Sequence, residues 1–303
     1  MLCPAMSKRD DGSSSRAELF KARSQWYYVF RRFRQNRGAV IGLGYVLLVI
    51  LAAVAAPLIT TCDPNSQDLK SALLPPSAEH WFGTDHFGRD IYTRVVYGAR
   101  ISLRVGPIAT GIAMLIGIPL GLLAAYYLGW IDVVISRVID VLLAFPGLLL
   151  AMGIMAVLGP GLTNAMIATG VSMLPRYVRV TRASTLSIKG MDYIIAARAI
   201  GASDRHIMVH HLLPNVILPL IVLASLDVAG AILFAAGLSF LGLGAQPPTP
   251  DWGGMLSRAR IYMQQAPWFA FFPGLAITST ILALNMVGDG LRDALDPHLT
   301  IKQ

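Results

Sequence analysis

The chain has 303 residues, 55% of them hydrophobic and only 14% charged, with a mean hydropathy of +0.59. Soluble domains devote about 25% of their residues to charge, so this composition excludes an ordinary water-soluble enzyme and points to lipid as the main solvent. The net charge of +8 does not signify nucleic acid, because nine Lys/Arg fall in residues 1–37 and six in 176–211, beside apolar runs, where topology signals are placed.

Residues 1–37 read as a basic tail with no apolar core of signal-peptide length, so the first apolar run is expected to remain as an anchor. That run, GAVIGLGYVLLVILAAVAAPLI (38–59), is uncharged and meets the roughly 20 residues that a bilayer crossing needs. Cys3 and Cys62 flank it on opposite sides, which excludes a disulfide between them. Residues 60–99 are expected as an external loop. Across 80–100 aromatics alternate with Arg89, Arg94 and Arg100, the pattern of an amphipathic segment lying at the interface. A second span is expected over 105–128. Residues 141–175 are uncharged but too long for one crossing, and LGPGLTN (158–164) supplies a turn. Spans over about 136–158 and 162–180 follow. A fifth is expected over 215–241 and a sixth over 269–288, with a tail at 290–303. Trp252 and Trp268 suit an aromatic belt, and QPPTPDWG reads as a rigid turn built on proline.

With the N-terminus inside, the inner segments hold 9, 1, 6 and 2 basic residues and the outer ones 5 and 2. The bias puts both termini in the cytoplasm. The Gly38/Gly42 and Gly117/Gly121 pairs stand at GxxxG spacing, which serves close helix packing.

Enzymatic chemistry is missing. No P-loop occurs, and HExxH and CxxC are absent. His206, His210 and His211 stand among basic residues without a carboxylate or cysteine set beside them, so no metal site is expected. Asp227 is the single charge within an apolar span. Three roles stay open for it: lining a translocation path, pairing with Arg104, or facing water near a helix end.

One block breaks the apolar pattern: DYIIAARAIGASDRHIMVHHLLPN (192–215). Asp192 is expected to cap a short helix with a smooth face of Ala196, Ala197 and Ala199. Gly201 fits the position past a helix end where φ is positive, and Ser203 can cap a second helix running to about Leu212. Pro214 is expected to end that helix and set the angle of the next span. Two short helices joined by a tight turn suit insertion into a groove on another protein.

AARAIGASDRHIMVHHLLPN resembles the EAA loop of ABC-importer permeases, with Ala196, Ala197, Gly201, Leu213 and Pro214 on its pattern. Ile195 replaces the family's Glu, and His211 its usual aliphatic residue. HWFGTDHFGRDIYTRVVYGARISL (80–103), SFLGLGAQPPTPDWGGML (239–256) and GDGLRDALDP (288–297) are similar to the C-type permease subunits of peptide importers. That group serves dipeptides, oligopeptides, glutathione, nickel chelates and opines. The resemblance implies an all-α integral membrane protein with six transmembrane helices and the type I ABC importer (MetI-like) fold over residues 100–289. It also implies an ATPase-coupling loop at 190–214 containing Ala196, Ala197, Gly201, Ser203, Leu213 and Pro214. The implied partners are a second permease subunit, two ATP-binding subunits that hold ATP and Mg, and a periplasmic substrate-binding protein. The chain itself is expected to bind no cofactor, metal or nucleic acid and to catalyse nothing. An ion-gradient-driven transporter is the alternative from another class; it would need inverted repeats and midplane charge clusters.

Overall fold

The structure is a computed structural model that describes residues 25–60 and 62–295. The tail containing Cys3 and the last residues, 296–303, lie outside that range. Among the described residues the architecture is helical, with one isolated bridge, Thr84–Asp90. The helices are α1 (Gln25–Gln35), α2 (Arg37–Val54), α3 (Ala56–Ile59), α4 (Ile91–Tyr127), α5 (Gly129–Leu143), α6 (Gly147–Leu158) and α7 (Leu162–Lys189). They continue with α8 (Asp192–Ala199), α9 (Asp204–His206), α10 (Leu213–Phe240), α11 (Trp252–Ala259) and α12 (Pro267–Leu295).

Among the described residues, four helical stretches are long and apolar enough to cross a membrane: α2, α4, the run Asp204–Phe240 and α12. A fifth span results if α5 and α6, bent by 95° at their junction, count as one. The single helix expected over 136–158 is therefore broken. Pro146 is the reason: it lacks an N–H and restricts Phe145, and it stands immediately before α6. The connection between the spans expected over 105–128 and 136–158 is itself helical, since only Leu128 separates α4 from α5. The span expected over 162–180 belongs to a longer helix, α7, whose Arg176, Arg179 and Arg182 keep it out of the apolar class.

At about 1.5 Å per residue, the 37 residues of α4 exceed a bilayer, and its first turns project into a cap built from residues 62–90 and α11. There the expected interfacial segment is a buried charge cluster. Arg89 and Arg94 are 3% and 1% exposed. Asp85 accepts from the backbone N–H groups of Phe87 and Arg89 and from Arg89 Nε at 2.7 Å, with Arg94 Nε at 3.8 Å. Arg94 donates onward to the carbonyls of Pro64 and Pro248, tying three segments together. A carboxylate within reach is what lets these arginines leave water. Trp252 departs from the aromatic-belt expectation too: it is buried and donates from Nε1 to the Val95 carbonyl at 2.8 Å. Arg100 caps the end of α2 by donating to the carbonyls of Ala53 and Val54.

α7 runs parallel to α4. An added Cβ on Gly117 would meet Tyr177 at 2.6 Å, and one on Gly121 would meet Thr181 at 2.6 Å. The GxxxG pair thus allows close approach of two helices.

Candidate functional site

The block at 190–214 lies at the far end of the molecule from the cap. α8 ends in a Schellman motif: Gly201 N–H bonds the Arg198 carbonyl, and Ala202 N–H bonds the Ala197 carbonyl. Gly201 has φ +86, and a Cβ there would meet nothing within 4 Å. Glycine is needed for its backbone conformation, since the space is open. Ser203 then caps α9, its side chain accepting from His206 N–H.

Two expectations are corrected. The cap of α8 is Met191, and Asp192 is the first helical residue with no side-chain capping bond. Asp192 therefore contributes only its charge, next to the helix N-terminus. Pro214 ends nothing. Asp204–Phe240 runs as one helix through a π segment, Ile207–Leu212, in which Leu213 N–H bonds the Met208 carbonyl. Pro214 itself has no N–H to donate, and Asn215 Nδ2 donates to the His211 carbonyl at 2.7 Å.

Burial divides the block into two faces. Ile194, Ala197, Ile207 and Leu212 are buried, and Ile194, Ile207 and Leu212 pack in one cluster with Tyr126, Tyr177 and Val216. Ala196, Gly201, Ser203 and Pro214 are exposed, and Leu213 is half-buried. Ile195 at 57% and Ile200 at 87% exposure leave apolar surface facing outward.

The anchor below is Tyr126, which the sequence alone did not single out. Its hydroxyl donates to Asp204 Oδ1 at 2.6 Å, and Lys189 and Arg198 stand over its ring at 5.4 and 5.7 Å. Lys189 Nζ also donates to the carbonyls of Ala125 and Tyr126, closing the end of α4. Its only sequence signal is its place at the end of the long apolar run. His206 and His210 stack at 4.4 Å on the exposed side, and among the described residues no group of three or more His, Cys, Asp or Glu could hold a metal.

Asp227 is apart from this block. It lies 13 residues along α10 from Pro214, about 20 Å at the helical rise. It is 5% exposed and paired with Arg176 at 2.5 Å, so Arg104 is not its partner. Arg176 is the first of three arginines at three-residue spacing on α7. Arg179 pairs with Asp140 at 2.9 Å, and Arg182 holds both oxygens of Asp132 at 2.7 and 2.6 Å. The ladder connects α7 to α10 and to α5.

Comparison with known proteins gives consistent matches. Residues 117–301 match the family described as the binding-protein-dependent transport system inner membrane component, and residues 24–76 match the N-terminal transmembrane domain of oligopeptide transport permease C. A dipeptide transport system permease protein, DppC, of Alkalihalophilus pseudofirmus is 49% identical over 93% of each chain. A glutathione transport system permease protein, GsiD, of Escherichia coli is 48% identical over 92% of each chain. Among solved structures, the MetNI methionine ABC transporter in an inward-facing conformation matches with a TM-score of 0.55 at 18% identity, covering 67% of this chain and 96% of that one. That likeness is one of fold.

Proposed function

The chain belongs to the family of inner-membrane components of binding-protein-dependent transport systems, and from that premise we propose that it is the permease subunit of an ATP-driven ABC importer of peptides. The cargo reading rests on relatives whose names specify dipeptide and glutathione. The subunit sits in the inner membrane as six spans: α2, α4, the bent pair α5 and α6, α7, α10 and α12. For α7 the support is its 28-residue length and its parallel course along α4, with its three arginines each met by a carboxylate of the same chain. The Lys/Arg bias supports cytoplasmic termini, which makes the 62–90 cap periplasmic and the 190–214 block cytoplasmic.

One observation carries the coupling role. The Gly201 turn is fixed from below by Tyr126 and buried Ile194, yet presents Ile195 and Ile200 outward without a partner among the described residues. A rigid turn with an apolar tip fits a groove on a partner, here one of two ATP-binding subunits that hold ATP and Mg. A second permease subunit and a periplasmic binding protein complete the assembly, and this chain moves cargo without catalysing a reaction. Asp227, with exposed Arg176 as its ion-pair partner, belongs to the wall of the path.

Uptake by vesicles tests this directly. With all subunits present, ATP alone should drive peptide entry and an ion gradient alone should not. Uptake that persists without any ATP-binding subunit would overturn the proposal and favour a gradient-driven transporter.

A further inference from the structure

The arginine ladder on α7 is unequal along its length. Gly170 packs on Ala109 and Ile112, and Gly121 on Thr181, so residues 170–181 are level with the membrane-spanning part of α4. Arg176 and Arg179 therefore lie within the bilayer's depth, where an unmatched arginine is costly. In two of the three pairs the carboxylate is covered, although Arg176 is as exposed as Arg179. Asp132 gives both oxygens to Arg182 and accepts from Ser136 as well, and the Asp227 side chain is 7% exposed.

The third is open. Arg179 and Asp140 share one hydrogen bond of 2.9 Å, with side chains 60% and 50% exposed. They line a cleft of about 310 Å³ between α5 and α7, together with Ser136, Ile139, Val178 and Arg182. That volume is at the lower end of ligand pockets, roughly 300–1,000 Å³. Half-exposed charges at this depth face water or solute rather than lipid, and a cation beside an anion is the complement of a zwitterion.

We propose that this cleft is a subsite for the charged ends of the transported peptide, with Arg179 taking the carboxylate and Asp140 the ammonium group. The inference rests on the peptide reading above. When the cleft is empty the two residues neutralise each other, and cargo replaces each partner with one of equal charge. Ile139 and Val178 give the cleft apolar walls that specify no particular side chain.

The test uses the complete transporter, with its partner subunits and binding protein, in proteoliposomes. Uptake of Ala-Ala, N-acetyl-Ala-Ala and Ala-Ala-amide is measured for the wild type, Arg179→Gln and Asp140→Asn. Each variant's rate is divided by the wild-type rate on the same ligand, so the binding protein's own preference cancels. Loss of a charge-assisted hydrogen bond should lower Ala-Ala uptake by roughly tenfold or more. Arg179→Gln should cost much less on the amide, and Asp140→Asn much less on the acetylated peptide. Equal losses on all three ligands would show that the pair only holds α5 to α7, and would leave the peptide reading standing. A wild type that carries no peptide overturns both. Should the blocked peptides not be carried, labelling of Arg179→Cys by a methanethiosulfonate, read at that residue by mass spectrometry, decides. Protection by saturating Ala-Ala is expected, and labelling indifferent to peptide sinks the subsite.

Discussion

The cap and the 190–214 block treat their side chains in opposite ways. In the cap, charge is inside: Asp85, Arg89 and Arg94 are buried, Asp85 and Arg89 bonded to each other and Arg94 to nearby backbone. In the block, charge holds the underside through Tyr126 and Asp204, while Ile195 and Ile200 stay outside. The first region turns its charges inward against one another, and the second leaves apolar side chains uncovered by the described residues. Self-sufficiency and dependence on a partner can thus be read from where the polar groups are spent and where apolar area is left over.

The contrast makes the cap the place where one substitution should cost most stability. Asp85→Asn leaves two arginines buried without their carboxylate and should destabilise by about 3–5 kcal/mol, measured as a lowered unfolding temperature of the purified protein. A shift near zero would mean that the cap does not depend on its charges. At the other end Gly201→Leu should cost about 1–2 kcal/mol through its positive φ, because its surroundings are open. The variant should insert and assemble, but ATP hydrolysis should proceed without uptake. Normal uptake by that variant would remove the docking role of the turn.

Tyr126→Phe should have a smaller effect, about 1 kcal/mol for the lost hydrogen bond, confined to one region. Amide exchange over 192–212 should quicken while the cap is unchanged, and equal quickening at both ends would contradict a local anchor. The cap should also respond to acid. His86 packs against Phe87, Tyr262 and Phe269. Burial holds its pKa below the ordinary 6.5, opposed by Asp85 and aided by Arg89, Arg258 and Arg94. A lowered folded value means stability is full above 6.5 and falls as pH drops through the folded pKa. Unfolding temperature should therefore fall between about pH 7 and pH 5, and His86→Phe should flatten that part of the profile. An unchanged slope in the variant would assign the acid sensitivity elsewhere.

How much the sequence revealed follows the range of each interaction. The turn at Gly201 and Ser203 was legible because its signals are local: a glycine for positive φ and a hydroxyl for a cap. The helical class was legible from the apolar runs. The bend at Pro146 and the π segment before Pro214 were visible as prolines, but proline does not say whether a helix kinks, breaks or changes register. Arg89 and Arg94 looked like surface charges because burial depends on segments far along the chain, such as the Pro248 carbonyl. The Arg182–Asp132 and Arg176–Asp227 pairs span 50 and 51 residues, beyond any periodic pattern. The three-residue spacing of the arginines does place them on one face, which could have separated them from the cytoplasmic block that follows.

The unbroken run from Asp204 to Phe240 has a mechanical meaning. The Gly201 turn and Asp227 are attached to the same helical run, which separates Asp204 from Asp227 by about 35 Å. A tilt of about 10° at the turn swings the carboxylate through roughly 6 Å on that arm, farther than the 2.5 Å that separates it from Arg176. On the proposed coupling, small angular work by an ATP-binding partner reaches Asp227 as the making or breaking of a single ionic contact.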